Sequence, residues 1–117
     1  MEITFAGSKL QKLCEEKNLA QKELGANCAK KLKARLADLA AVSCVAELTA
    51  GCPHQLKGDR AGQYALDIDQ SKAGRGRGGK RLVFEPDHDP VPLRQDGSID
   101  WSKVTAVCIV FIGDYHD

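Results

Sequence analysis

The chain has 117 residues and a formal net charge of +1, which predicts a single domain, residues 1–117, built around one hydrophobic core. No apolar run approaches the ~20 residues that cross a bilayer, so no membrane association is expected. The five cysteines include no C-x-x-C pair, and no export signal is recognisable. The sequence therefore predicts reduced thiols and a cytoplasmic location.

The charge is unevenly distributed along the chain. Residues 51–84 carry 7 basic and 3 acidic side chains, whereas residues 85–117 carry 2 basic and 7 acidic ones. A basic segment of this kind can hold phosphate groups although the whole chain is nearly neutral.

The N-terminal third is predicted to contain a short strand followed by helices. Residues 3–5 have the alternation of a short strand. Ser8 followed by Gln11 matches a capping box, which predicts that Ser8 caps a first helix. Gly25 is expected to end a second helical segment, and Asn27 to cap the next one.

Residues 28–41 have the pattern of an amphipathic helix. Leu32, Leu36 and Leu39 fall on one stripe at helical spacing. Basic residues occupy the flanks of this stripe: Lys30, Lys31, Lys33 and Arg35. Such a run either contacts RNA or forms the solvated face of the helix, and the second interpretation is the more common one.

After residues 51–53 the hydrophobic period changes from that of a helix to that of a strand. Residues 63–69 alternate as in a half-buried strand, and residues 81–85 form the next strand. Residues 86–103 contain three prolines and are predicted to form a long loop. The apolar run within 104–112 does not alternate, so the last strand is predicted to be buried on both faces. Helices followed by strands predict an α+β fold, with the N-terminal helices packed on one face of a small antiparallel β-sheet.

Two clusters of polar residues carry the chemistry of the sequence: one precedes the strand at 63–69, and the other ends the chain. Arginine and lysine can hold a phosphodiester and stabilise its developing charge, and histidine exchanges protons near neutral pH. Cys52 and His54 lack further ligands at a spacing suited to zinc, so no metal and no other cofactor is predicted. The residues with this potential are His54, Lys57, Arg60, Arg81, Asp114, Tyr115 and His116.

Three segments resemble the HigB-type toxins of the RelE superfamily, the toxin halves of type II toxin–antitoxin pairs. They are HQLKGDRAGQY at 54–64, RLVFEP at 81–86 and DYH at 114–116. Their order, spacing and position relative to the predicted strands make the combination specific. The predicted helices of residues 8–41 lie where that family has its helical hairpin, so the resemblance covers nearly the whole chain.

The resemblance implies a metal-independent mRNA endonuclease that acts in the ribosomal A site and inhibits translation. The RNA's own 2′-OH is the nucleophile, and the products carry a cyclic phosphate and a 5′-OH. The catalytic candidates implied in this way are His54, Asp114, Tyr115 and His116. The implied phosphate contacts are Lys57, Arg60 and Arg81. His116 or Asp114 is expected to deprotonate the 2′-OH, and His54 to protonate the leaving oxygen.

The implied partners are mRNA, the small ribosomal subunit and a cognate helix-turn-helix antitoxin. The toxin itself is expected to be a monomer that joins larger assemblies through the antitoxin. The alternative function is that of a catalytically weak binding module in an antitoxin–repressor complex. An enzyme needs residues 114–116, whereas a binding module should tolerate their loss.

The two site clusters also have purely structural interpretations. Tyr115 could cover the edge of the core, with its hydroxyl bonded to the backbone. Asp114 could close a turn after Gly113. Residues 57–60 could form an ordinary charged turn.

Three further features lie between the strands or in the long loop. Arg81 could pair with Asp67 or Asp69 across the hairpin. His88 is expected to face solvent. The Gly/Arg-rich residues 72–80 are similar to RNA-binding segments of that composition, or they form a flexible insertion, which is the favoured interpretation.

Overall fold

The computed structural model describes residues 1–69 and 80–114 of the chain. These residues form three α-helices, five β-strands and three short 3-10 helices, which lie at Val45–Glu47, Gly58–Arg60 and Trp101–Lys103. The α-helices are α1 (Ser8–Glu15), α2 (Lys17–Leu24) and α3 (Ala26–Ala41). The strands are β1 (Glu2–Phe5), β2 (His54–Gln55), β3 (Tyr64–Asp69), β4 (Lys80–Pro86) and β5 (Ala106–Asp114).

Within the described residues the strands form one sheet in the order β1-β5-β4-β3-β2. The predicted α+β class, with the N-terminal helices on one face of the sheet, is confirmed. The sheet is mixed rather than wholly antiparallel, because β1 runs parallel to β5 while the other pairs are antiparallel. Parallel neighbours need a long crossover, and here the whole chain between β1 and β5 provides it.

The main core lies between α3 and the sheet. Leu32 and Leu39 of α3 are buried against Leu66 of β3, Phe84 of β4 and Ile109 of β5. The predicted helical stripe and the alternation of β3 are therefore confirmed. A second, smaller cluster of buried residues lies on the opposite face of the sheet, and it contains no residue of the described α-helices.

The helix boundaries differ from the predicted caps. Ser8 is the first residue of α1 and its side chain makes no capping hydrogen bond, so the predicted capping box is wrong. The Gln11 side chain donates to Glu15 instead, at 3.4 Å. Gly25 is the C-cap of α2, as predicted, but it is also the N-cap of α3, so Asn27 lies inside the first turn of α3 rather than at its cap. No helix within the described ranges combines the length and the hydrophobicity that a bilayer span requires.

The loop between β4 and β5 is more ordered than the sequence predicts. Trp101 is buried and packs edge-on against Tyr64, with ring centroids 4.8 Å apart. His88, expected to face solvent, is half-buried, and its Nε2 atom accepts hydrogen bonds from the backbone N–H groups of Thr105 (3.1 Å) and Ala106 (3.3 Å). The loop is thereby tied to the beginning of β5.

The turn at Gly51 joins α3 to the sheet, and we expect it to tolerate no side chain. Gly51 has φ +80°, and a Cβ there would lie 2.8 Å from Arg35 Cδ and 3.3 Å from the Asp67 carbonyl oxygen. Gly97 is a matched control, with φ +90° and open space around it. Gly97→Ala should lower the free energy of unfolding by about 1 kcal/mol through backbone strain. Gly51→Ala should cost about 1–3 kcal/mol more, because of overpacking. Equal losses in urea unfolding would contradict this account.

The Asp100 carboxylate should stabilise the loop in a pH-dependent way. It accepts hydrogen bonds from the hydroxyl and backbone N–H groups of Ser102, which lower its pKa below the ordinary 3.8. Its contribution is therefore present above pH 3.8 and is lost as the pH falls through the lower pKa of the folded state. Asp100→Ala should lower the melting temperature at neutral pH, and its difference from the wild type should shrink in acid. Ser102→Ala should give a smaller change of the same kind, and a difference independent of pH would contradict the role of this carboxylate.

Candidate active site

The candidate site lies on the outer face of the sheet, which we define as the face opposite the helices. Ala65 of β3 and Val83 of β4 are fully buried there, although none of the described α-helices contributes to this cluster. The segment between β2 and β3 folds back over this face, and its Leu56, only 5% exposed, packs against both residues. The same segment carries two of the residues predicted for the site, Lys57 and Arg60.

A β-bulge in β5 determines which side chains reach the outer face from the central strand. Val83 pairs with Phe111 and Phe84 pairs with Ile109, so Val110 is the extra residue. Val110 and Phe111 consequently both contact the outer-face cluster, whereas Ile109 contacts the main core. The prediction of a strand buried on both faces holds for one face only, since Val110 and Phe111 are half-buried.

Arg60 lies over the aromatic ring that the bulge exposes. Its guanidinium carbon is 4.6 Å from the centroid of Phe111, a cation–π contact. Its Nη1 atom donates to Gln63 Oε1 at 3.0 Å, and Gln63 Nε2 donates to Glu85 Oε1 at 3.1 Å. These hydrogen bonds and the Phe111 ring hold the Arg60 guanidinium, a planar group with several N–H donors, on the outer face.

Arg81 lies on the outer face of β4, two residues before Val83, and its side chain is held by an ion pair. Its Nε atom donates to Asp67 Oδ1 at 3.0 Å, and the two side chains are 15% and 9% exposed. The predicted pairing across the hairpin is thus confirmed with Asp67. Arg81 is also the register partner of Gly113, and a Cβ at that glycine would lie 3.2 Å from the Phe111 ring. We call Arg60, Phe111 and Arg81 the arginine cluster.

His54 begins β2 at the edge of the sheet. Its register partner is Ala65, which makes His54 the diagonal neighbour of Asp67 on the same face. Diagonal neighbours in an antiparallel pair are about 7–8 Å apart. Its Nδ1 atom lies 2.8 Å from the Cys52 carbonyl oxygen. Lys57 is exposed and immediately precedes the 3-10 helix that carries Arg60. His54 therefore lies on the same face of the sheet as the arginine cluster, and Lys57 lies in the segment that folds over this face.

The predicted site residues at the chain end are only partly described. Asp114 is the exposed last residue of β5, in register with Lys80. Strands β3 and β4 separate β5 from His54, so three strand spacings, about 14 Å, lie between the strands that carry His54 and Asp114. Tyr115 and His116 lie outside the described residues, as does the Gly/Arg-rich segment up to residue 79.

Besides Asp67, which the sequence offered only as a pairing partner of Arg81, three residues of this arrangement were not among the predicted site residues. Phe111 belongs to an apolar run that contains no turn residue, so nothing in the sequence indicates the bulge that turns it outward. Gln63 and Glu85 lie inside the segments that carry the family resemblance. Their position at strand ends is a weak signal, and their relay to Arg60 depends on the pairing of β3 with β4.

The described residues offer little for metal or thiol chemistry. Residues 1–69 and 80–114 contain no group of three His, Cys, Asp or Glu side chains placed to hold a metal ion. Burial and the nearby Glu15 raise the pKa of the Cys14 thiol to about 12, so it stays protonated. Cys52 is exposed, but its backbone rather than its thiol contacts the site.

Neither a family model nor a curated protein matches the sequence, whereas solved structures match the fold over its whole length. A YoeB/ParE toxin from Agrobacterium tumefaciens has a TM-score of 0.56 and 15% identity, covering 99% of this chain and 100% of that one. A chain of the YoeB-YefM complex from Staphylococcus aureus has a TM-score of 0.54 and 18% identity, covering 100% and 98%. The YoeB dimer from the same organism has a TM-score of 0.53 and 19% identity, again covering 100% and 98%. At these identities the likeness establishes the fold: the chain has the α+β fold of the YoeB/ParE toxins.

Proposed function

We propose that this chain is the toxin of a type II toxin–antitoxin pair and that it cleaves mRNA in the ribosomal A site. The observation that carries the proposal is the arginine cluster on the outer face, with His54 beside it at the sheet edge. The likeness in fold to the YoeB/ParE toxins supports the toxin assignment. The segments similar to HigB-type toxins favour that branch of the RelE superfamily.

The arginine cluster suits a phosphodiester in its transition state. When the 2′-oxygen attacks phosphorus, negative charge develops on the phosphoryl oxygens, and fixed N–H donors stabilise it. Arg60 and Arg81 are both held by other side chains, so little reorganisation is needed when the charge develops. We propose that Lys57, exposed in the segment that carries Arg60, supplies a third positive charge to the phosphate. These cations supply the charge that the reaction needs, so the proposal includes no metal ion.

Proton transfer is assigned to the ends of the site. We propose that His54 protonates the leaving 5′-oxygen and that Asp114 or His116 accepts the 2′-OH proton. The proposal also assigns Tyr115, which lies outside the described residues, a contact with the RNA near the reacting group. The strands that carry His54 and Asp114 are about 14 Å apart. Asp114 follows Gly113, which pairs with Arg81 on the outer face, so under this proposal Asp114 reaches the RNA around the end of β5.

The proposed partners follow from the same assignment. The solved complex from Staphylococcus aureus pairs YoeB with YefM, and we propose that a cognate helix-turn-helix antitoxin neutralises this chain. The toxin alone is proposed to be a monomer in the cytoplasm, where translating ribosomes are found.

The function is tested by adding the purified protein to a cell-free translation system and mapping mRNA 5′ ends, with and without ribosomes. A variant lacking residues 115–117 runs in parallel. New cuts inside the reading frame, seen only with ribosomes and lost in the truncation, are expected. Intact mRNA, with the protein demonstrably folded, would instead favour the binding module.

If His54→Ala and His116→Ala both cleave at the wild-type rate, the assigned proton transfers are wrong.

The role of Arg60 is tested with two substitutions, one that removes both its charge and its planar guanidinium and one that keeps only the charge. Arg60→Ala should lower the cleavage rate about 100-fold, because one fixed donor to the developing charge is lost. Arg60→Lys keeps the charge but cannot stack on Phe111 or form two parallel hydrogen bonds, so it should remain well below the wild type. Arg94→Ala is the matched control: it removes the same charge from an exposed position in the β4–β5 loop. An equal loss in Arg60→Ala and Arg94→Ala would contradict a specific role for Arg60.

A further inference from the structure

An unusual backbone conformation precedes His54. Gly51 and Cys52 are consecutive residues with positive φ, +80° and +51°. Among the described residues, Cys52 is the only non-glycine residue with positive φ. A residue with a Cβ adopts this conformation at an energetic cost, and such residues cluster at functional sites.

This left-handed turn is anchored from two sides. The Gly51 carbonyl oxygen accepts a hydrogen bond from the Asp67 backbone N–H at 2.6 Å, which fixes the turn to β3. On the helix side the Arg35 side chain lies directly against Gly51, and Arg35 Nε is 3.1 Å from Asp38 Oδ2, an ion pair without hydrogen-bond geometry. The turn therefore has a fixed position between α3 and the sheet edge.

The turn places a carbonyl group against the His54 ring. The Cys52 carbonyl oxygen is 2.8 Å from His54 Nδ1. A carbonyl oxygen can only accept a hydrogen bond, so Nδ1 must carry the proton in this contact. In the neutral imidazole the other nitrogen, Nε2, then has the free lone pair.

We infer that the Gly51-Cys52 turn is a positioning device that fixes the Nδ1–H tautomer of His54 and makes Nε2 its proton-exchanging atom. The role given to the His54 proton in cleavage rests on the proposed function. The 2′-oxygen forms its bond to phosphorus while its proton passes to Asp114 or His116. The bond from phosphorus to the 5′-oxygen breaks, and that oxygen takes the Nε2 proton of the His54 imidazolium. His54 is left neutral with its proton on Nδ1, the form that the Cys52 carbonyl stabilises.

Two substitutions at Cys52 separate the turn from the thiol. Cys52→Gly and Cys52→Val both remove the thiol and both keep the carbonyl. Glycine accepts positive φ without strain, whereas a β-branched residue is a conformational outlier there. Cys52→Gly should therefore keep the carbonyl against His54, and Cys52→Val should move it away.

The tautomer is read by nitrogen-15 NMR of the imidazole rings at a pH where His54 is neutral, with His54→Gln identifying its signals. The wild type and Cys52→Gly should have a protonated Nδ1 and a bare Nε2, and Cys52→Val should contain a substantial fraction of the Nε2–H form. A wild-type spectrum with the proton on Nε2 would overturn the inference directly, whatever the folding of the variants. An unchanged tautomer in a folded Cys52→Val would overturn the role of the turn.

Cleavage in the ribosome system gives the second readout. Cys52→Val should cleave at least ~10-fold more slowly than Cys52→Gly, because general acid catalysis through a positioned histidine is worth at least that much. Equal rates in the two variants, with tautomers that differ, would contradict proton exchange through Nε2. If the wild type has the Nδ1–H tautomer but cuts no mRNA, the proposed function fails while the assignment of the turn stands.

Discussion

Asp67 makes the two contacts on which the rest of the site depends. Its backbone N–H holds the Gly51 carbonyl, and its carboxylate holds the Arg81 guanidinium. Because both contacts come from one residue of β3, the turn that precedes His54 and the cation on β4 have a fixed mutual position. The ion pair is partly screened from solvent, so losing the carboxylate would leave a poorly solvated positive charge and cost more than the loss of an exposed pair.

The bulge at Val110 has a comparable role in the central strand. A regular strand would turn Phe111 toward the helices and leave the outer face without an aromatic surface there. The extra residue reverses the alternation, so Phe111 supports the Arg60 guanidinium while Ile109 stays in the main core. The same strand thus serves the core on one side and the candidate site on the other.

Carboxylates moderate the positive charge of this face. Glu85 reaches Arg60 through Gln63, and Asp67 contacts Arg81 directly. Each of these two arginines is therefore oriented by an acidic residue. The negative charge weakens their attraction for phosphate, but the contact gives each guanidinium a defined geometry. A nearly neutral chain can in this way present a small site with directed N–H donors rather than a broad basic surface.

The sequence by itself determined the three helices, four of the five described strands and the kinds of chemistry, but it did not indicate β2. Local periodicity predicted α3 and β3, because hydrophobic spacing reports which side of an element is buried. The pairing of Arg81 with Asp67 was foreseen as one of two options, since antiparallel neighbours oppose each other. Only the tertiary structure decided the rest. The parallel pairing of β1 and the outward turn of Phe111 depend on contacts between residues distant in the chain, and no local pattern encodes them.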